Sequence, residues 1–173
     1  PDESVDLIVT SPPYATALDY PRAHFLAVAW MQPVLHLGVE QYMALAPTYI
    51  GSERGHVNPE FGPNARLVPL PSARSALESL QERDLRQAYL MQRDFVEMYE
   101  AFREMGRVLR PNGHVFIVVC PAQVRQVQIP THTAFTEMAQ ALGLRCAAEY
   151  QRVINGNRRV LPYMREAFGD RMH

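Results

Sequence analysis

Val5-Asp6-Leu7-Ile8-Val9-Thr10 runs directly into Ser11-Pro12-Pro13-Tyr14, and the reading of this stretch decides the fold. Six residues rich in β-branched and apolar side chains, stopped by a proline pair, predict a buried strand that ends in a rigid loop. In an open α/β sheet, ligands bind beyond the carboxyl ends of the strands, so the Ser-Pro-Pro-Tyr segment stands where a site belongs. Two prolines in series fix two φ angles and remove two N–H donors, leaving carbonyl acceptors in a preset direction. Such a loop suits an amino group better than an anion. The structural alternatives are a plain strand-terminating turn and a short polyproline ligand for an aromatic groove.

Outward from this strand, Phe25, Val28, Ala29, Leu35 and Leu37 predict a helix from Tyr20 to about Leu37, kinked near Pro33 and stopped by Gly38. Residues 39–75 hold five prolines (47, 59, 63, 69, 71) and Gly51, Gly55 and Gly62 without a sustained period, which predicts a long insertion without structure of its own. Phe95, Met98, Tyr99, Phe102, Met105 and Leu109 then keep the spacing of one apolar helical stripe. Its upstream half, from Ala76 through Ala88, is more polar and expected to be more exposed.

Pro111-Asn112-Gly113 turns that helix into His114–Cys120, a continuous apolar run of the kind buried on both faces of a parallel sheet, expected to lie beside the first strand. Thr131 is placed to cap a helix bearing Phe135, Met138, Ala139 and Leu142 and closed by Gly143. The alternation of Leu144, Cys146, Ala148 and Tyr150 with Arg145, Ala147 and Glu149 predicts a third strand. Strands and helices in this order imply an α/β fold, mostly parallel, with helices on the faces of the sheet.

Composition narrows the function classes less than the motif does. With 173 residues, 47% hydrophobic and 20% charged, the chain can bury one ordinary core. A net charge of −1 lacks the strongly basic balance of many nucleic-acid binders, so any such surface must be local. All 17 basic side chains are Arg, the planar, bidentate cation, although base composition of the genome explains this as well. Cys120 and Cys146 stand far apart without C-x-x-C spacing, which argues against a disulfide framework or thiolate metal site and fits a reducing cytoplasm. The longest apolar run, near Val115–Val119, is far below the roughly 20 residues that span a bilayer, so no membrane partner is expected.

Thr10-Ser11-Pro12-Pro13-Tyr14 resembles the strand-end motif, Asp/Asn/Ser-Pro-Pro-Tyr, of the S-adenosylmethionine-dependent DNA amino-methyltransferases. Asp19-Tyr20-Pro21-Arg22-Ala23-His24 is similar to the segment that follows the motif in a subgroup of them, and Arg107-Val108-Leu109-Arg110-Pro111-Asn112-Gly113 to the turn before the fifth strand of methyltransferases generally. The resemblance implies a partial Rossmann-like sheet, equivalent to the second half of that fold, and methyl transfer to an exocyclic amine in DNA. The serine form of the motif points to cytosine N4, with adenine N6 in DNA and guanine N2 in RNA as alternatives.

On this resemblance, Ser11, Pro12, Pro13 and Tyr14 are catalytic candidates, and Thr10 and Ser11 touch the cofactor. Asp19, Tyr20, Arg22 and His24 contact substrate, or else form a helix start with a surface ion pair. The family's Gly-rich, Phe-x-Gly-x-Gly turn is missing. Residues 1–173 therefore read as the catalytic, base-binding half of one domain whose cofactor-binding half lies elsewhere, with isolated activity in doubt.

The remaining candidates are weaker. Arg158 and Arg159, with Arg152, Arg165 and Arg171, either meet phosphates or are solvated side chains at the end of the domain. His36, His56, His114 and His132 lack metal-ligand spacing, so no metal is expected. Met91, Met98 and Met105 are core residues of the long helix. A non-catalytic nucleic-acid-binding module and an unrelated α/β enzyme are the competing classes.

Overall fold

The structure, a computed structural model, describes residues 1–13, 20–52 and 68–152. Tyr14, Asp19, Arg158, Arg159, Arg165 and Arg171 lie outside the described residues. Strand β1 (Val5–Thr10) is followed by helices α1 (Tyr20–Ala23), α2 (Phe25–Leu35) and α3 (Val39–Ala44) and a short 3-10 turn at Ala46–Thr48. Helices α4 (Arg74–Arg83) and α5 (Leu85–Val108) lead into β2 (Leu109–Ile117), the hairpin β3 (Ala122–Val124) and β4 (Val127–Ile129), and helix α6 (Thr131–Ala141).

The two apolar strands are neighbours, as their composition predicts. β1 and β2 pair in parallel, with Leu7 opposite His114, Val9 opposite Phe116 and Thr10 opposite Ile117. Pro111-Asn112-Gly113 lies within β2, where the register slips between Val5 and Leu7. Asn112 takes φ 64° there, and a Cβ on Gly113 would stand 2.8 Å from Leu109 Cγ. The turn is thus an irregularity inside the strand, and only glycine fits its inner corner.

Burial on both faces is not what the sheet shows. Ile117 and Val119 pack toward the core, whereas Leu7, Val9, Phe116 and Val118 on the opposite face are 53, 67, 54 and 61% exposed. Among the described residues nothing buries that outer face of the pair. The fold is mixed α/β: the small parallel sheet of β1 and β2 is accompanied by a separate antiparallel pair, β3 and β4. The third strand expected at 144–150 is absent: these residues join no ladder, and Arg145–Tyr150 is exposed. Alternation prepares a strand, but only a neighbouring edge completes its hydrogen bonds.

The core forms where α4, α5, α6 and the hairpin converge. Phe95, Met98 and Phe102 of α5 are buried with Phe135 and Met138 of α6, Leu80 of α4 and Ile129 of β4. Phe102 meets Phe135 edge-on at 5.4 Å between ring centroids. The predicted single long helix is divided at Asp84, which leaves helical geometry and accepts the Gln87 N–H at 3.1 Å. That carboxylate caps α5 and separates it from α4. At the other end of the core, Pro130 rather than Thr131 occupies the N-cap of α6, while Gly143 closes that helix with φ 83°.

Two further boundaries moved. The Tyr20–Leu37 helix is interrupted at His24, and Pro33 sits inside α2, which ends at Leu35 with His36 in left-handed geometry. Gly38 begins α3 instead of ending the helix before it: its amide donates to Gln41 Oε1 at 2.9 Å. The insertion at 39–75 therefore carries local helix in its first part, and residues 53–67 lie outside the described residues.

Candidate active site

Thr10 closes β1, and its carbonyl accepts the Val118 amide at 2.9 Å, carrying the ladder one step beyond the end of β2. Ser11 emerges just past that bond. Its side chain is exposed, Pro12 is buried and Pro13 half-buried. The hydroxyl forms no hydrogen bond with any described residue. A buried proline behind an exposed serine fixes the backbone direction while leaving the Ser11 oxygen open to a ligand. This is the carboxyl end of a parallel pair, where ligands bind in open α/β sheets.

Tyr20 and His24 form a second group, with rings stacked at 6.3 Å and 24°. Tyr20 also meets Tyr49 edge-on at 6.2 Å, and Pro21 is the buried residue of the short helix α1. Arg22 and His24 are exposed. Tyr49 was not singled out by sequence reasoning: it lies in the Pro/Gly-rich insertion, and its approach to Tyr20 is a tertiary contact without local periodicity.

A buried charged cluster was also missed. Arg93 of α5 donates to the Ser52 carbonyl and lies 3.5 Å from Glu97, while Ser52 Oγ donates to the Ala46 carbonyl at 2.6 Å. Asp94 is 2% exposed, and its Oδ1 has no hydrogen-bond partner among the described residues. Burial first, and the neighbouring Glu97 charge second, push the Asp94 carboxyl up to about 7, against the opposing effect of Arg93. Burial likewise raises Glu97, opposed by Arg93 and by the Gly51 amide. The cluster anchors residues 46–52 to α5. Helical spacing marks these positions as polar, but only the packed insertion buries them.

A cavity of about 490 Å³ lies among Arg103, Arg107, Arg110, Gly113 and Arg145, at the amino end of β2 and thus at the opposite end of the sheet from Ser11. Its guanidinium groups are largely engaged: Arg110 binds Asp6 at 2.8 Å, and Arg107 binds Glu104 and Asp2. The Ser11 loop and this cavity are separate features.

The strand end at Thr10–Ser11 can supply one wall of a cofactor site. None of the described glycines (38, 51, 106, 113, 143) opens a helix directly after a strand, so the described residues do not form a complete cradle for a nucleoside cofactor. Among the described residues no group of three or more His, Cys, Asp or Glu is placed to hold a metal ion, and no helix is long and apolar enough to cross a membrane.

No family model matches the chain, and no solved structure matches it. Among curated proteins, the chain is similar to the Type II methyltransferase M.MvaI of Kocuria varians, with 22% identity over 160 residues. That alignment covers 91% of this chain and 35% of the relative, so the chain spans about a third of the length of the protein it matches.

Proposed function

We propose that this chain is the base-binding half of an S-adenosylmethionine-dependent methyltransferase that acts on an exocyclic amino group in DNA, cytosine N4 in the first instance. The observation that carries the reading is the placement of Ser11-Pro12-Pro13 immediately beyond the β1–β2 ladder, with the Ser11 hydroxyl open and Pro12 buried behind it. Similarity to a Type II methyltransferase along nearly the whole chain supports it.

An exocyclic base amine is a poor nucleophile because its lone pair is delocalised into the ring. Ser11 Oγ and the Pro12 carbonyl, accepting its two hydrogens, favour a pyramidal nitrogen whose lone pair is directed away from the loop. Tyr14 supplies an aromatic face for a base turned out of the stack. Tyr20, His24 and Arg22, with Asp19 and the Arg158-Arg159 pair, are the secondary contacts to nucleic acid. Thr10 and Ser11 form the wall nearest the methyl donor, which polypeptide beyond the described residues must hold.

The test is single-turnover transfer of labelled methyl to duplex DNA by the chain assembled with a cofactor-binding half, followed by identification of the modified nucleoside. N4-methylcytosine is expected. N6-methyladenine, or transfer only to RNA guanine, corrects the substrate and keeps the mechanism. C5-methylcytosine refutes it, since carbon methylation needs a cysteine nucleophile and the loop has none. DNA binding without transfer favours a second reading, a non-catalytic nucleic-acid-binding module.

A further inference from the structure

The turn Tyr49-Ile50-Gly51-Ser52 is tied to α5 by charge and to α1 by an aromatic ring. The Ser52 amide donates to the Tyr49 carbonyl at 3.3 Å, and Gly51 takes φ 78°, the left-handed geometry that the third residue of a type II turn requires. Ser52 is buried, its Oγ donating to the Ala46 carbonyl at 2.6 Å, and Ile50 packs against the core. Arg93 donates to the Ser52 carbonyl and lies 3.5 Å from Glu97, while the Gly51 amide stabilises the charged Glu97 carboxylate. A buried guanidinium is costly to desolvate and adds little net stability, yet its rigid fork of donors admits one placement of the carbonyl it binds.

That placement governs Tyr49. Its ring meets Tyr20 edge-on at 6.2 Å, and Tyr20 in turn stacks on His24 at 6.3 Å and 24°. The His24 amide donates to the Tyr20 carbonyl at 3.0 Å, so the stacked pair is carried by the single turn of α1. Four residues are too few to hold a helix by themselves, because nucleation is unfavourable. The ring pair therefore depends on tertiary support, which Tyr49 gives. His24 is exposed and Tyr20 half-buried, leaving an open aromatic surface.

We infer that Arg93 is a positioning residue for a nucleobase: by fixing the Tyr49–Ser52 turn it seats Tyr49 against Tyr20 and holds the Tyr20–His24 pair as a stacking face. This rests on the reading of the chain as the base-binding half, which makes Tyr20 and His24 contacts to nucleic acid. Arg93 acts through Tyr49 and does not meet the base. Stacking is tolerant of sequence, since every base has a π-face, so the role concerns base capture and not recognition of a site.

The probes are a short oligodeoxycytidine and a strand of equal length built of abasic sugar phosphates, each titrated onto the full 173-residue chain. The ratio of the two affinities separates stacking from phosphate contact. The parent chain is expected to favour the cytidine strand about tenfold. Arg93→Met and Tyr49→Ala should each abolish that preference and leave affinity for the abasic strand unchanged. Arg93→Met/Tyr49→Ala should lose no more than either single variant, because both act along one path. Tyr49→Phe keeps the edge contact and should keep the preference. Met98→Ala, which opens the core elsewhere on α5, should lower stability and leave the preference intact. Hydrogen exchange at the His24 amide should accelerate in Arg93→Met, and far-UV circular dichroism verifies folding of each variant.

A preference that survives Arg93→Met, losses that add in the double variant, an equal loss in Met98→Ala, or unchanged exchange at His24 would overturn the role of Arg93 and leave base binding standing. A parent chain that binds both strands equally would refute the base-binding reading itself, and the role with it.

Discussion

The Val118 amide donates to the Thr10 carbonyl at 2.9 Å, and this bond sets the two strand ends level immediately before Ser11. The loop that follows starts from a fixed point, so the position of the Ser11 hydroxyl is inherited from the sheet. Ser11→Ala removes one acceptor and leaves the Pro12 carbonyl. The single-turnover methyl-transfer rate should fall by about 10- to 1,000-fold, with DNA affinity nearly unchanged, because the lost hydrogen bond matters most as the nitrogen becomes pyramidal. Equal losses in rate and in affinity would assign Ser11 to binding alone.

Gly113 meets Leu109 Cγ at 2.8 Å and the Arg110 carbonyl at 3.0 Å at the point where a Cβ would stand. Gly113→Ala should therefore cost about 1 to 3 kcal/mol in urea unfolding. The β1–β2 register passes through this irregularity, so the same variant should increase hydrogen exchange at Leu7 and Val115.

Phe102 is 1% exposed and meets the Phe135 ring edge-on. Phe102→Ala should destabilise the chain by about 3 to 5 kcal/mol, since the cavity cannot close between two helices and a hairpin. The urea midpoint should fall with little change in slope; a change confined to the slope would mean that the native state already lacks this contact.

Asp94 stands near 7 in the folded chain against an ordinary value of 3.8. Between those limits the native state retains a proton that the unfolded chain has lost. This group's contribution is therefore fullest below about pH 4, declines as pH rises toward 7, and levels off above it. Asp94→Asn should flatten that decline and raise the melting temperature relative to the parent protein at pH 8 more than at pH 4. A pH profile identical to the parent's would show that Asp94 is solvated or paired in solution.

What the residues determine by themselves is local. The apolar runs at Val5–Thr10 and His114–Ile117 form strands, and the stripe through Phe95, Met98 and Phe102 forms the buried face of a helix, because each pattern matches one backbone period. Gly143 stops its helix because left-handed geometry suits a residue without a side chain. The hairpin was not legible, since its turn places Arg125 and Gln126 at positive φ without the Asn-Gly signal that usually marks such a turn. Tertiary structure alone decided which faces are covered. Leu144–Tyr150 carries an alternating pattern and remains unpaired, Leu7 and Phe116 are apolar and remain open, and Asp94 is charged by type yet buried. Periodicity specifies which side of an element seeks cover, whereas burial requires a second element at the right distance, and no single segment encodes that.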